Sequence, residues 1–224
     1  ISSTEYLTLA QTINSFIELN EKAPNYATST LGNIQYESLV YMYSKIISFY
    51  NTDDRLPTYV IVDSSVTNTT IPSELQQYLQ ATTNCQVNDA TIKALAASIT
   101  SGKTSTYDKA VAIFNWVRDN IGYSFYYNTK YSALGTYKAD TGNCVDTTHL
   151  LIALERAAGI PARYVHGTCT FTSGSVYGHV WAQVYVNGKW YSADAISTRN
   201  TFGVINNWNT ATYTLKGIYA SLPF

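Results

Sequence analysis

The sequence predicts an α+β fold, with helices first and an antiparallel sheet last. Three observations carry this. Apolar residues recur at helical spacing through most of the chain before Gly159, and after Pro161 the period changes to two, from Ala162 onward. Between the last two alternating runs stands Asn187-Gly188, a strong short hairpin signal, because both residues accept the positive φ of a tight turn. Runs of helices followed by runs of strands belong to an α+β architecture, not to alternating βαβ units.

An internal repeat opens the chain. Ile13-Asn14-Ser15-Phe16 matches Ile46-Ile47-Ser48-Phe49, and Lys22-Ala23-Pro24-Asn25-Tyr26 matches Arg55-Leu56-Pro57-Thr58-Tyr59, each pair 33 positions apart. Each copy reads as a helix followed by an extended Pro-x-Tyr segment, since proline blocks the helix and biases the preceding residue toward extended backbone. Leu9, Ile13, Phe16 and Ile17 form one apolar stripe, and Leu39, Met42, Ile46 and Phe49 the other. A unit this short cannot bury its own apolar face, so the copies are expected to pack together or on a neighbour. The Trp, Leu-Gly and Tyr offsets of a tetratricopeptide are absent. Residues 1–66 therefore read as a small helical repeat region.

Asp63 to Thr70 is rich in Ser, Thr and Asn and reads as a linker, and residues 67–224 read as the second domain. Helices are expected at 72–80, 88–100 and 106–120, the last with Ile113, Phe114, Trp116 and Val117 on its apolar face and Asp108 in its first turn. A Tyr- and Gly-rich loop is expected over 122–142. Asn143 caps the next helix, with Asp146 three residues on, in the manner of a capping box. Val145, Leu150, Leu151 and Leu154 supply its apolar surface; Gly159 ends it and Pro161 prevents a restart. Strands are expected over Ala162–Thr172, His179–Val186 and Lys189–Asp194, with one more near Tyr213–Ile218.

Composition narrows the function classes. The formal net charge is −1 and no long run of one sign occurs, so neither nucleic acid nor a membrane is an expected partner. No apolar stretch approaches the roughly 20 residues that span a bilayer. No basic segment followed by an apolar one stands at the N-terminus, so no signal peptide is expected; Ile1 is not a start methionine, which leaves an upstream segment open. Tyr reaches 20 residues while charged residues are only 13%, a surface suited to sugars and peptides. Cys85, Cys144 and Cys169 are too widely spaced for a zinc site. Their odd number points to a free thiol, with a Cys85–Cys169 pair left open. The histidines show no metal-ligand spacing.

Cys144 sits at the expected start of a helix, where free N–H groups and the positive dipole end favour a thiolate. A lone cysteine there is often inert; His179 and Asp194 change that. With a two-residue turn at Asn187-Gly188, Val186 pairs with Lys189, and counting back sets Trp181 opposite Asp194. His179 is two residues before Trp181, so it shares a face with Asp194 as a diagonal neighbour. A one-residue slip would separate them. Nucleophile, base and orienter are then all present, with the backbone N–H of Cys144 as one oxyanion donor. Asn128 and Tyr131, in the loop upstream, are candidates for the second. His149 is expected in the core, pointing away from the thiol, and His166 is expected to be satisfied within its strand.

The segments Gly142-Asn143-Cys144-Val145-Asp146, Ala158-Gly159-Ile160-Pro161-Ala162-Arg163, Gly178-His179-Val180-Trp181 and Ala193-Asp194 resemble, in order and spacing, the core of the transglutaminase-like superfamily. The resemblance covers roughly residues 72–224 and implies a papain-like core, a Cys-bearing helix packed on an antiparallel sheet. Leu56-Pro57-Thr58-Tyr59-Val60 resembles the ending of pseudomurein-binding repeats, from which the first copy, Ala23-Pro24-Asn25-Tyr26-Ala27, departs. Together the two parts resemble pseudomurein endoisopeptidases of viruses and proviruses of methanogenic archaea. That resemblance implies a Cys144–His179–Asp194 triad hydrolysing the Ala–ε-Lys isopeptide bond of wall cross-links. It further implies synthesis in the cytoplasm of an infected host, action on the cell wall and pseudomurein as the partner. The chemistry needs no cofactor. Calcium dependence is implied by the family, although Asp140 and Asp146 stand isolated and no acidic loop is visible. A transglutaminase that passes the acyl group to an amine, and a non-catalytic wall-binding module, are the alternatives.

Overall fold

The computed structural model describes residues 1–62, 71–103 and 105–224. The linker expected at 63–70, and with it the boundary expected at 66/67, lies outside the described residues. The chain divides into two compact units, Ile1–Pro72 and Ser73–Phe224.

In the first unit, α1 (Ser3–Asn20) and α2 (Tyr36–Asp53) flank a hairpin of β1 (Tyr26–Ser29) and β2 (Gly32–Gln35). Ser2 caps α1 by accepting from the Glu5 N–H, and Glu21 and Asp54 end the two helices in left-handed backbone. The repeat explains the pairing. Tyr26 pairs with Gln35, just before α2, and Tyr59 pairs with Ser2, just before α1. Each copy's Pro-x-Tyr segment thus lies against the residue that starts the other copy's helix. The Tyr6 hydroxyl donates to the Pro57 carbonyl across the same junction at 2.6 Å. Tyr6, Leu9, Ile34, Leu39, Met42 and Ile46 form one shared core, as two units unable to bury their faces singly require. Phe16 and Ile17, expected on the apolar stripe, instead remain more than a third exposed.

The second unit begins with a helix at the expected 72–80, of the 3₁₀ kind over Ser73–Leu79; Leu75 is its one buried residue, so no apolar stripe drives an α-helix. Then come α3 (Ala90–Ile99) and α4 (Thr106–Asn120), capped by Asp89 and Ser105. The expected loop over 122–142 holds more structure than its sequence suggested. It contains β3 (Gly122–Tyr123), α5 (Ser132–Ala139) and β4 (Thr141–Gly142), with β3 and β4 parallel. The cause of α5 is remote. The Asp146 carboxylate accepts from the backbone N–H groups of Lys130, Tyr131 and Ser132 at 2.9–3.0 Å, satisfying orphan donors at the start of α5.

Next is α6 (Cys144–Ala157), buried from Val145 through Arg156. Asn143 caps it as the sequence predicts, its side chain accepting from the Asp146 N–H, and Gly159 turns the chain at φ 78°. The helix is the centre of the main core, with Phe114 and Val117 of α4 in the same cluster. Over it lies a four-stranded sheet ordered β7-β6-β5-β8, made of β5 (Ala162–Thr170), β6 (Val176–Val186), β7 (Lys189–Ala193) and β8 (Thr214–Tyr219), all antiparallel. The predicted register holds: Val186 pairs with Lys189 and Ala182 with Ala193. Asn187 and Gly188 take φ of 51° and 83°, the positive pair a type I′ turn demands. The result is the α+β, papain-like and transglutaminase-like core that the sequence predicts, with the Cys-bearing helix packed on the sheet.

Candidate active site

The site forms where the N-terminus of α6 meets β6 and the end of β7. Cys144 opens α6 and is half-buried, and its backbone N–H belongs to the first turn, which has no intrahelical acceptor. Gly142, two residues earlier, lets the chain approach closely: a Cβ there would meet Thr136, Thr147 and Asp146 at 3.1–3.2 Å. Cys85 and Cys169 are fully buried and free, so the pairing left open does not form. Burial pushes the Cys85 thiol up, and burial with nearby Asp194 and Cys144 pushes Cys169 up to about 12. The accessible thiol of the three is Cys144.

His179 donates from Nε2 to Oδ2 of Asp194 at 2.9 Å, the diagonal contact that the hairpin register requires. Its other ring nitrogen is not taken up by Asp194, and Cys144 lies close enough to act on the imidazole. Burial alone would lower the His179 pKa. The Asp194 charge and hydrogen bond, with the Cys144 contact, outweigh it and raise the pKa to about 10. The imidazole is held charged by a carboxylate that is itself buried. Trp181 stacks on His179 with centroids 5.9 Å apart, and Phe171 meets its edge at 5.3 Å.

Asp194 is fixed by more than histidine. Trp208 donates its indole N–H to the same Oδ2 at 2.7 Å, and Asn200 donates to the Asp194 carbonyl at 2.9 Å. Asn200 is fully buried and also binds Asn206 and Asn207, so the loop after β7 is one hydrogen-bonded frame. Trp208 and Asn200 carried no readable signal in the sequence, because each acts through a contact across an irregular loop.

The other candidates separate. Asn128 lines the cleft, and its carbonyl accepts from the Asn143 side chain at 2.9 Å. Tyr131 is not on the cleft wall: its N–H serves Asp146 and its ring packs edge-on against Tyr126. Tyr123, unnoticed in the sequence, does line the cleft. Burial, then Cys144, Tyr177 and Asp194 nearby, raise its phenol pKa, so it stays a hydrogen-bond donor. His149 lies in the core as expected, between Thr129 Oγ1 and the Tyr164 hydroxyl at 2.9 Å each. His166 lies within β5 as expected, and its ring lines the cleft, packed edge-on against Phe224.

The cleft has a volume of about 650 Å³ and exposes the rings of Tyr123, Phe125, Tyr127 and Tyr177. Calcium requires six to eight oxygen ligands. Asp146 cannot supply them, since both its oxygens already accept hydrogen bonds, including one from the Tyr126 hydroxyl at 2.6 Å. Among the described residues no group of three or more His, Cys, Asp or Glu side chains converges, so they do not fit a calcium site. Also among the described residues, no helix is long and apolar enough to cross a membrane.

A thiol at a helix N-terminus, an imidazole beside it and a carboxylate behind it form the arrangement used by cysteine-based hydrolases and acyltransferases. Residues 93–195 match the transglutaminase-like superfamily. A solved structure of a candidate cysteine protease from Cytophaga hutchinsonii is similar at 25% identity and a TM-score of 0.51, over 67% of this chain and 55% of that one. The periplasmic domain of TgpA from Pseudomonas aeruginosa is similar at 20% identity and a TM-score of 0.44, over 57% of this chain and 48% of that one. An uncharacterized protein of Haemophilus influenzae is 30% identical over 139 residues, which is 55% of this chain and 35% of that protein. The chain thus spans about a third of that relative and about half of either solved chain.

Proposed function

We propose that this protein is a cysteine endoisopeptidase that hydrolyses the Ala–ε-Lys isopeptide bond of pseudomurein cross-links and so lyses methanogen cell walls. The observation that carries the reading is the His179–Asp194 pair, buried and charged, set against the half-exposed Cys144 in an aromatic cleft. The charged His179 carries the proton that the Cys144 thiol gives up. The thiolate attacks the Ala carbonyl, and the oxyanion meets the backbone N–H of Cys144, with Tyr123 as second donor. Collapse breaks the C–N bond, and His179 returns the proton to the departing lysine amine. Water, deprotonated by His179, then hydrolyses the thioester.

The wall polymer as substrate rests on the N-terminal repeat and its likeness to pseudomurein-binding repeats. With it go synthesis in the cytoplasm of an infected archaeal host and action on the wall. Lysis of pseudomurein-walled cells under reducing conditions tests the reading, with native protein beside Cys144→Ala. Lysis by the native protein alone supports it. Lysis by neither sinks the wall assignment. Lysis by both, with firm binding to isolated wall, turns the reading toward a non-catalytic wall-binding module.

The same triad would pass the acyl group to an amine. Product analysis with an added amine separates the two: a free Ala carboxylate marks hydrolysis and a new amide marks transfer.

A further inference from the structure

We propose that Arg199, with Thr172, holds a carboxylate on the departing, amine-bearing half of the substrate. The inference rests on the isopeptidase reading and names the chemistry of the leaving group it selects.

The charge of the cleft is one-sided. The whole chain is nearly balanced, with 14 basic against 15 acidic residues, yet among the described residues no Asp or Glu side chain lines the cleft. The one acid beside the nucleophile, Asp194, is buried and taken up by His179 and Trp208. Arg199 is on the cleft wall, and His166 lies across it with Lys216 close enough to lower its pKa, after the larger effect of burial. Among the described residues Arg199 is in no ion pair. Its guanidinium makes one side-chain bond, from Nη1 to Thr172 Oγ1 at 3.0 Å, which leaves the rest of a planar fork for an anion.

The guanidinium is set on a fixed frame. The Arg199 carbonyl accepts from Asn206 at 2.8 Å, and the next residue, Asn200, is the buried amide that holds the Asp194 backbone. Thr172 is tied to the same loop by its N–H on the Asn207 carbonyl at 3.0 Å, beside the bridge between Phe171 and Trp208. Phe171 in turn packs on His179. Arg199 and Thr172 therefore stand on the histidine side of the cleft. His179 gives its proton to the leaving amine, so the departing half of the substrate runs along this wall. In an isopeptide that half is a lysine joined through its ε-amine; where no residue follows that lysine its α-carboxyl is free, and it is then the anion a planar fork of donors recognises.

The test uses two isopeptides with the same Ala-terminated acyl half, joined to the ε-amine of a lysine whose α-carboxyl is free in one and a carboxamide in the other. The readout is the ratio of their kcat/KM values, which partial unfolding of a variant leaves unchanged because it scales both. The native protein is expected to prefer the free carboxylate about tenfold, the size of one charge-assisted hydrogen bond. Arg199→Gln brings the ratio to about one, and Arg199→Glu takes it below one, by repulsion. A native ratio near one, or a ratio that neither substitution moves, overturns the proposal while leaving the isopeptidase reading standing. Turnover of neither substrate, with no acyl group on Cys144 by mass spectrometry, overturns both.

Discussion

Trp208 and His179 bind the same oxygen of Asp194: the indole N–H reaches Oδ2 at 2.7 Å and the imidazole Nε2 reaches it at 2.9 Å. The shared acceptor makes Trp208 a positioning residue. Trp208→Phe keeps an aromatic ring beside Trp181 and Tyr213, removes the donor and gives up part of the indole's packing. The expected result is a kcat lower by about tenfold with KM near native, since one hydrogen bond contributes roughly 1 kcal/mol. The alkaline limb of the pH–rate profile is expected to move upward, because Oδ2 no longer shares its charge with the indole. A profile that stays in place would sink this assignment.

Asp194→Asn tests the charge behind the histidine. With the carboxylate gone, burial governs His179 and its pKa is expected below the ordinary histidine value, against about 10 with Asp194 present. Turnover is expected to fall by at least about a hundredfold. Stability carries a signed signature. A histidine whose folded pKa is raised contributes stability that is full below its unfolded value of about 6.5 and is lost as pH rises through about 10. The Tm advantage of the native protein over Asp194→Asn should therefore shrink between those pH values.

The three thiols should react unequally. Iodoacetamide at neutral pH is expected to label Cys144 alone, since Cys85 and Cys169 are fully buried with pKa values pushed upward. Peptide mapping of the alkylated protein checks this, and labelling of Cys169 at a comparable rate would contradict it.

His149 is the acid-sensitive point of the core. Burial first, then Arg156, push its pKa down to about 4, against the opposing pull of Asp146. A base with a lowered folded pKa leaves stability intact above about 6.5 and withdraws it as pH falls toward 4, by on the order of a few kcal/mol. Chemical unfolding at pH 7, 6 and 5 should show that loss. A histidine NMR titration should find His149 neutral at pH 5.5.

Glu155 is buried on α6, among the described residues neither carboxyl oxygen has a hydrogen-bond partner, and burial raises its pKa well above the ordinary carboxylate value. The unfolded chain ionises it from about pH 4.5 upward while the folded chain resists, so its cost to stability grows with pH. Glu155→Gln removes the ionisation and is expected to raise stability by about 1–3 kcal/mol at pH 8 and by less at pH 5. Equal gains at both pH values would show that its ionisation plays no part.

Much of the site was legible because it rests on local rules. A cap residue, Asn143, placed Cys144 at a helix start. A two-residue turn at Asn187-Gly188 fixed the register of β6 on β7, and the period of two then set His179 beside Asp194. The strand ends at Thr170 and Val176 lie two and three residues from those expected, because the turn between them is pinned by Asn207 and Trp208. The α5 helix escaped notice since its eight residues have little stripe of their own and Gly135 sits among them.

The sequence by itself determined the order of the main helices and strands, the helix start at Cys144 and the placing of His179 beside Asp194, for each follows from spacing along one or two neighbouring segments. Only the tertiary structure decided what surrounds that pair. Trp208 meets Asp194 from 14 residues away across an irregular loop, and Asp146 gathers Tyr126 and three backbone N–H groups from a loop 14 to 20 residues earlier. His166 and Arg199 reach one cleft from a strand and a loop far apart in sequence. Hydrogen bonds and walls built between remote segments leave no periodic trace in the chain, because the geometry that creates them exists only once the core has closed.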